Sequence, residues 1–173
     1  MMDSGNPARK ARLDKALALF QEAYSHQMSG ELDEAAALYE ASIQLFPTAE
    51  AHTFLGWTYS YQGRLEDAIS ECQKAIEIDP EFGNPYNDIG AYLIEQEKYD
   101  EAIPFAERAL AIGEKVLEPD HWDVAILLNN LAVSYEAKGD HTRAEPLFQR
   151  ALGIYEKALG PNHPDVAAAF NNL

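Results

Sequence analysis

The stretch Ala49 to Pro80, AEAHTFLGWTYSYQGRLEDAISECQKAIEIDP, holds two short amphipathic runs joined at Gly63 and closed by Asp79-Pro80. Gly63 suits a helix-ending position that needs positive φ, and Pro80 cannot continue a helix. Gly56 and Ala68 stand where two antiparallel helices would cross, and only small residues let the backbones approach there. Leu55, Tyr59, Leu65, Ile69 and Cys72 lie near helical spacing and would fill the space around the crossing. The same arrangement recurs along the chain, and recurrence excludes two unrelated amphipathic helices.

The spacing His52-x2-Leu55-Gly56-x2-Tyr59, then Ala68-x3-Cys72, then Pro80, resembles the tetratricopeptide pattern W-x2-L-G-x2-Y, A-x3-F, P. His52 and Cys72 depart from it. The resemblance covers residues 16–173. It implies an all-α fold, a right-handed superhelix of antiparallel helix pairs. The repeats are expected at 16–48, 49–82, 83–124 and 125–166, with a partial fifth at 167–173. A partly disordered and then helical lead-in over 1–15 precedes them, in which Asn6 could cap a helix with Pro7 in its first turn. Leu13, Leu17, Phe20 and Tyr24 then run at helical spacing.

The small crossing residues of the first repeat are Ala23 and Ala35, and its turn is at Gly30. In the third repeat Glu97 replaces the turn glycine. The fourth repeat begins 42 residues after the third, and the fifth 42 residues later again. The added eight residues predict a second helix about two turns longer, followed by a Pro-containing loop. Asp33, Asp123 and Asp165 are expected to cap helices. Pro104 and Pro146 are expected near the first turn of a second helix, where losing one N–H costs little.

The later units resemble the 42-residue repeats of kinesin light chains and their bacterial relatives. The likeness rests on Leu128-Asn129-Asn130-Leu131-Ala132, Ala144-Glu145-Pro146-Leu147, Arg150-Ala151-Leu152 and Leu159-Gly160-Pro161-Asn162-His163-Pro164-Asp165-Val166. The chain stops inside the first helix of the fifth unit, which suggests a piece of a longer array. Alternatively, its apolar edge at Ala167, Phe170 and Leu173 meets another copy.

Of 173 residues, 29 are acidic and 13 are Lys or Arg, a net charge of −16. Nearly all of the excess lies in 16–124, which carries −17, against +2 in 1–15 and −1 in 125–173. Such acidity repels phosphate backbones and anionic membranes, so nucleic acid and membrane are not expected as partners. No apolar run approaches the length of a membrane span, and the start lacks the apolar core of a signal peptide. Cys72 is the only cysteine. A cytoplasmic protein fits these features.

No catalytic or cofactor site is expected. The five histidines make no metal-ligand spacing, and no phosphate loop, nucleophile elbow or Cys/His pair is present. His121 and His163 hold the same repeat position and read as loop-packing residues.

The family resemblance implies that first helices line a concave groove. The candidate peptide-binding residues are Tyr24, Phe54, Trp57 and Tyr61 at an aromatic end, and Asn87, Asn129, Asn130 and Asn172 at an amide end. An Asn amide is donor and acceptor at once and can pair with a peptide unit whatever its side chain. Groove aromatics can seat apolar side chains. The competing reading has Asn129 and Asn130 bond only neighbouring helices, and Trp57 fill the core. Chaperone-binding relatives grip a C-terminal carboxylate with groove cations. Here the matching strip, Phe20, Tyr24, Phe54, Asn84 and Asp88, has none. The expected function is therefore a non-catalytic interaction scaffold for a neutral, apolar or basic peptide or helix. Two alternatives are self-association through terminal edges and a regulatory or sensor module of a larger protein.

Overall fold

The computed structural model describes residues 7–160. The expectations placed on Asn6, Asp165, Asn172 and the fifth repeat lie outside that range. The chain divides into two compact units, Met1–Pro80 and Glu81–Leu173.

The first unit contains α1 (Pro7–Met28), α2 (Leu32–Leu45), α3 (Ala49–Tyr61) and α4 (Leu65–Ile78). The second contains α5 (Asn84–Glu95), α6 (Tyr99–Val116), α7 (Trp122–Ala137) and α8 (His141–Leu159). Helices pack as the pairs α1·α2, α3·α4, α5·α6 and α7·α8, and each unit joins its two pairs through α2·α3 or α6·α7.

Each pair closes through the same turn. Gly30, Gly63 and Gly139 have φ of 78°, 74° and 75°, and Glu97 takes φ 59° at the matching place. The residue after each donates its N–H back to the helix: Glu31 to His26 O, Arg64 to Tyr59 O, Lys98 to Leu93 O and Asp140 to Tyr135 O, at 2.8–3.0 Å. Orphan carbonyls at the helix end are thereby satisfied. Only this geometry explains why three of the four positions are glycine.

The crossing of α3 and α4 is as tight as the spacing requires. A Cβ added at Gly56 would lie 3.1 Å from the Ala68 carbonyl oxygen and 3.1 Å from Cys72 Sγ. Ala23, Ala35, Ala68 and Ala102 are fully buried at equivalent crossings.

Three local expectations are corrected. Asp33 and Asp123 lie inside their helices rather than capping them. Asp33 instead accepts from Gln62 Nε2 at 2.7 Å, and the α7 cap is His121, whose Nδ1 accepts from the Asp123 N–H at 3.2 Å. Pro104 and Pro146 stand six residues into α6 and α8, past the first turn, so each removes an intrahelical hydrogen bond. Finally, α6 and α8 have 18 and 19 residues against 14 in α2 and α4, so the second helix gains little more than one turn. The connection between α6 and α7, 117–121, is no longer than the one between α4 and α5, 79–83; the other added residues extend α7, which begins at Trp122 and has 16 residues against 13 in α3 and 12 in α5.

Polar links that join successive helix pairs were not legible beforehand. Tyr59 donates to Glu40 and Tyr135 to Glu107, both at 2.6 Å. Arg64 and Arg143 lie over those tyrosine rings, 4.0 and 4.2 Å from the centroids, where a guanidinium is attracted to the ring face. In the second unit Arg108 and Lys115 both pair with Glu81, Arg150 with Glu114, and Lys157 with Asp120. Arg150 and Lys157 repeat Arg108 and Lys115 at 42 residues.

Candidate functional site

Among the described residues, the expected binding residues fall into two groups, one in each unit.

In the first unit the aromatic residues come together around Phe54. Its ring centroid lies 5.2 Å from Phe20, 5.8 Å from Tyr24, 6.1 Å from Tyr39 and 4.7 Å from Trp57. The cluster grows from fully buried Tyr39, which donates its hydroxyl to Gln27 Oε1 at 2.8 Å. Burial, and then the neighbouring Tyr24, push the Tyr39 hydroxyl well above its ordinary pKa, so it stays a donor. Phe54 and Trp57 are half-buried, while Tyr24 and Tyr61 are exposed. Phe54 therefore packs the unit and shows a face to solvent. Tyr61 stands apart from these edge-to-face and tilted rings: the contacts gather Tyr24, Phe54 and Trp57 and leave it out.

Beside Phe54 lies an apolar cleft of about 440 Å³, bordered by Leu13, Leu17, Phe20, Phe46 and Glu50. Leu13, Leu17 and Phe46 were absent from the expected site. Leu13 and Leu17 nevertheless carry the helical spacing that continues into Phe20 and Tyr24, so the signal was in the sequence and read only as a helix face.

In the second unit Asn130 Nδ2 donates to Asn87 Oδ1 at 2.9 Å, joining α7 to α5. Both residues are half-buried, as is Asn129. The competing reading is thus correct in part, because this amide pair does link neighbouring helices. It uses only one donor and one acceptor. The Asn87 NH2 and the Asn130 side-chain oxygen take no part in that bond and are opposite in kind. Exchanging O and N in both amides leaves the same complement.

One buried ionic group lies on the α3–α4 side of the first unit. His52 Nδ1 and Glu71 Oε2 are 2.7 Å apart, and Lys74 Nζ donates to Glu71 Oε1 at 2.6 Å. A carboxylate only accepts, so His52 Nδ1 carries the hydrogen. Burial pushes the Glu71 carboxyl up, but the hydrogen bonds and charges of His52 and Lys74 outweigh it and hold the group below its ordinary pKa. Among the described residues no three His, Cys, Asp or Glu side chains are placed to hold a metal ion. No described helix is long and apolar enough to cross a membrane.

Comparison with known proteins agrees with this architecture. Tetratricopeptide repeat models match residues 16–49, 49–82, 82–155 and 123–173. An uncharacterized protein of Haemophilus influenzae is 30% identical over 103 residues, covering 60% of this chain and 54% of that protein. The RxLR effector protein SFI4 of Phytophthora infestans is 32% identical over 82 residues, 47% of this chain and 24% of the effector. The chain thus spans about half or less of these relatives. A solved structure of Pseudomonas aeruginosa PilF has a TM-score of 0.75 at 22% identity, over 92% of this chain and 67% of that one. A putative kinesin light chain from Podosopora anserina, with nearly identical repeats, has a TM-score of 0.75 at 20% identity, over 93% and 84%. At such identities the likeness shows the fold alone, an all-α solenoid of helix pairs.

Proposed function

Because the chain belongs to the tetratricopeptide repeat family, whose members generally mediate protein–protein interactions, we propose that it is a non-catalytic binding module for a segment of a partner protein. The observation that carries the reading is the Asn87–Asn130 pair. Its remaining donor and acceptor are the complement of the N–H and C=O that one residue of an extended segment turns to the same side. A bound extended segment would hydrogen-bond there through its backbone, with little demand on its own side chains. Asn129 stands beside the pair as a further amide.

The partner segment is neutral, apolar or basic. The chain's −16 charge and the absence of Lys or Arg among the candidate residues support that preference, since like charges meeting in a contact are costly. Tyr24, Phe54, Trp57 and Tyr61 are the proposed apolar seats in the first unit. A preformed site of packed helices avoids much of the ordering cost on its side of the complex.

Affinity capture from cell lysate tests the reading, comparing wild type with an Asn87→Ala/Asn130→Ala variant whose helical content and melting are first shown to be intact. Proteins lost only from the variant are expected. Equal capture by both would remove the amide pair as a binding site.

A further inference from the structure

We infer that the apolar cleft of the first unit receives an amphipathic helix of the partner, apolar on one face and carrying a Lys or Arg that pairs with Glu50. This rests on the chain being a protein-binding module, but not on the Asn87–Asn130 pair, which lies in the other unit.

The cleft is open on its α1 side. Leu13 and Leu17 of its lining are 42% and 53% exposed. With Phe20 they fall at helical spacing on one stripe of α1, which runs for about 10 Å at the usual rise per residue. A stripe of that length matches anchors at i, i+3, i+4 and i+7 of a facing helix. The cleft volume of about 440 Å³ admits more than one bulky side chain.

The polar groups decide between a helix and an extended strand. Ser42 Oγ in the lining already donates to the Ala16 carbonyl at 2.7 Å. Thr48 Oγ1 already accepts from the Ala51 N–H at 3.1 Å. An extended backbone lowered into the cleft would find its own N–H and C=O groups unmatched, which is costly when they are buried. A helix satisfies those groups internally and brings only side chains.

The charge of the occupant follows from the border. Arg12 is committed to the Leu45 carbonyl at 2.9 Å, and Arg9 lies against the Phe46 ring. Glu50 is exposed, in the first turn of α3, and pairs with no cation among the described residues. A cation on the incoming helix completes it.

The test is fluorescence anisotropy with three designed peptides: a helix with a leucine face flanked by lysines, the same helix with the lysines replaced by glutamates, and the lysine helix broken by a central proline. Wild type should bind the lysine helix, and the other two about tenfold or more weakly. Glu50→Lys should invert the preference between lysine and glutamate helices. Leu17→Lys, at an exposed position, should lose about tenfold in affinity with an unchanged melting curve. Asn87→Ala/Asn130→Ala should bind the lysine helix like wild type, so the two sites fail or stand separately. Equal binding of the proline-broken peptide, an unchanged preference in Glu50→Lys, or binding of none of the three would overturn the inference. Self-association of the wild type that Leu17→Lys abolishes would place a second copy in the cleft instead.

Discussion

His52 and Glu71 face each other across the α3–α4 pair at 2.7 Å, both nearly excluded from solvent. His52 stands where the repeat pattern places a large aromatic residue, so a polar link replaces an apolar contact. The Glu71 carboxyl is held below its ordinary pKa in the fold, so the stability it contributes is present above its unfolded-state pKa. That contribution disappears as pH falls through the folded value. Thermal melts taken downward through the carboxylate range should show the loss, and Glu71→Gln should flatten part of that acid limb. At neutral pH, Glu71→Ala should cost about 2 kcal/mol, because a buried imidazole N–H loses its acceptor.

Tyr59 to Glu40 is a link between successive helix pairs. Tyr59→Phe should cost about 1 kcal/mol. Burial first, and then the Glu40 hydrogen bond and charge, push the Tyr59 hydroxyl up to about 12. A raised acid pKa of this kind stabilises the fold below the unfolded tyrosine value and is lost as pH rises through about 12. Ultraviolet titration of the phenolates should show a late component, shared with Tyr39 and Tyr135, whose amplitude Tyr59→Phe lowers by one tyrosine.

Gly56 and Gly90 hold the same pattern position and should respond oppositely to alanine. At Gly56 the new methyl meets the Ala68 carbonyl and Cys72 Sγ at 3.1 Å, and the helices must separate slightly. Overpacking of this sort costs about 1–2 kcal/mol. At Gly90 the nearest atom is Ala106 N at 3.7 Å, an ordinary contact. There the gain in helix propensity, about 1 kcal/mol, should appear as a higher denaturation midpoint.

Glu97 takes φ 59° at a turn where three equivalents are glycine. The left-handed conformation costs a residue with a Cβ about 1 kcal/mol. Glu97→Gly should therefore raise stability by about that amount in urea unfolding. Gly63→Ala, the reverse change at φ 74°, should lower it comparably.

The helix pairs, their turns and their crossings were legible because they are written locally and repeatedly. Gly30, Gly63 and Gly139 mark positive φ, and Ala23, Ala35, Gly56 and Ala68 mark close approach, within a window of one repeat. The caps were misread at Asp33 and Asp123 because several residues near a helix start can serve. His121, next to the helix start, takes the α7 cap, and Gln62, far along the chain, takes the Asp33 carboxylate. The amide strip was legible as a face, but the bond between Asn87 and Asn130 was not, since it joins residues 43 apart on different helices.

Periodicity and small-residue spacing depend on backbone geometry alone, so the family, the all-α architecture and the faces that helices present are written in the order of residues. Which side chains meet is set by the packing of the helices. Tyr59 with Glu40, His52 with Glu71, and Leu13 and Leu17 with Phe46 and Glu50 around one cleft depend on how neighbouring helices are set, and a shift of an ångström would make or break each contact.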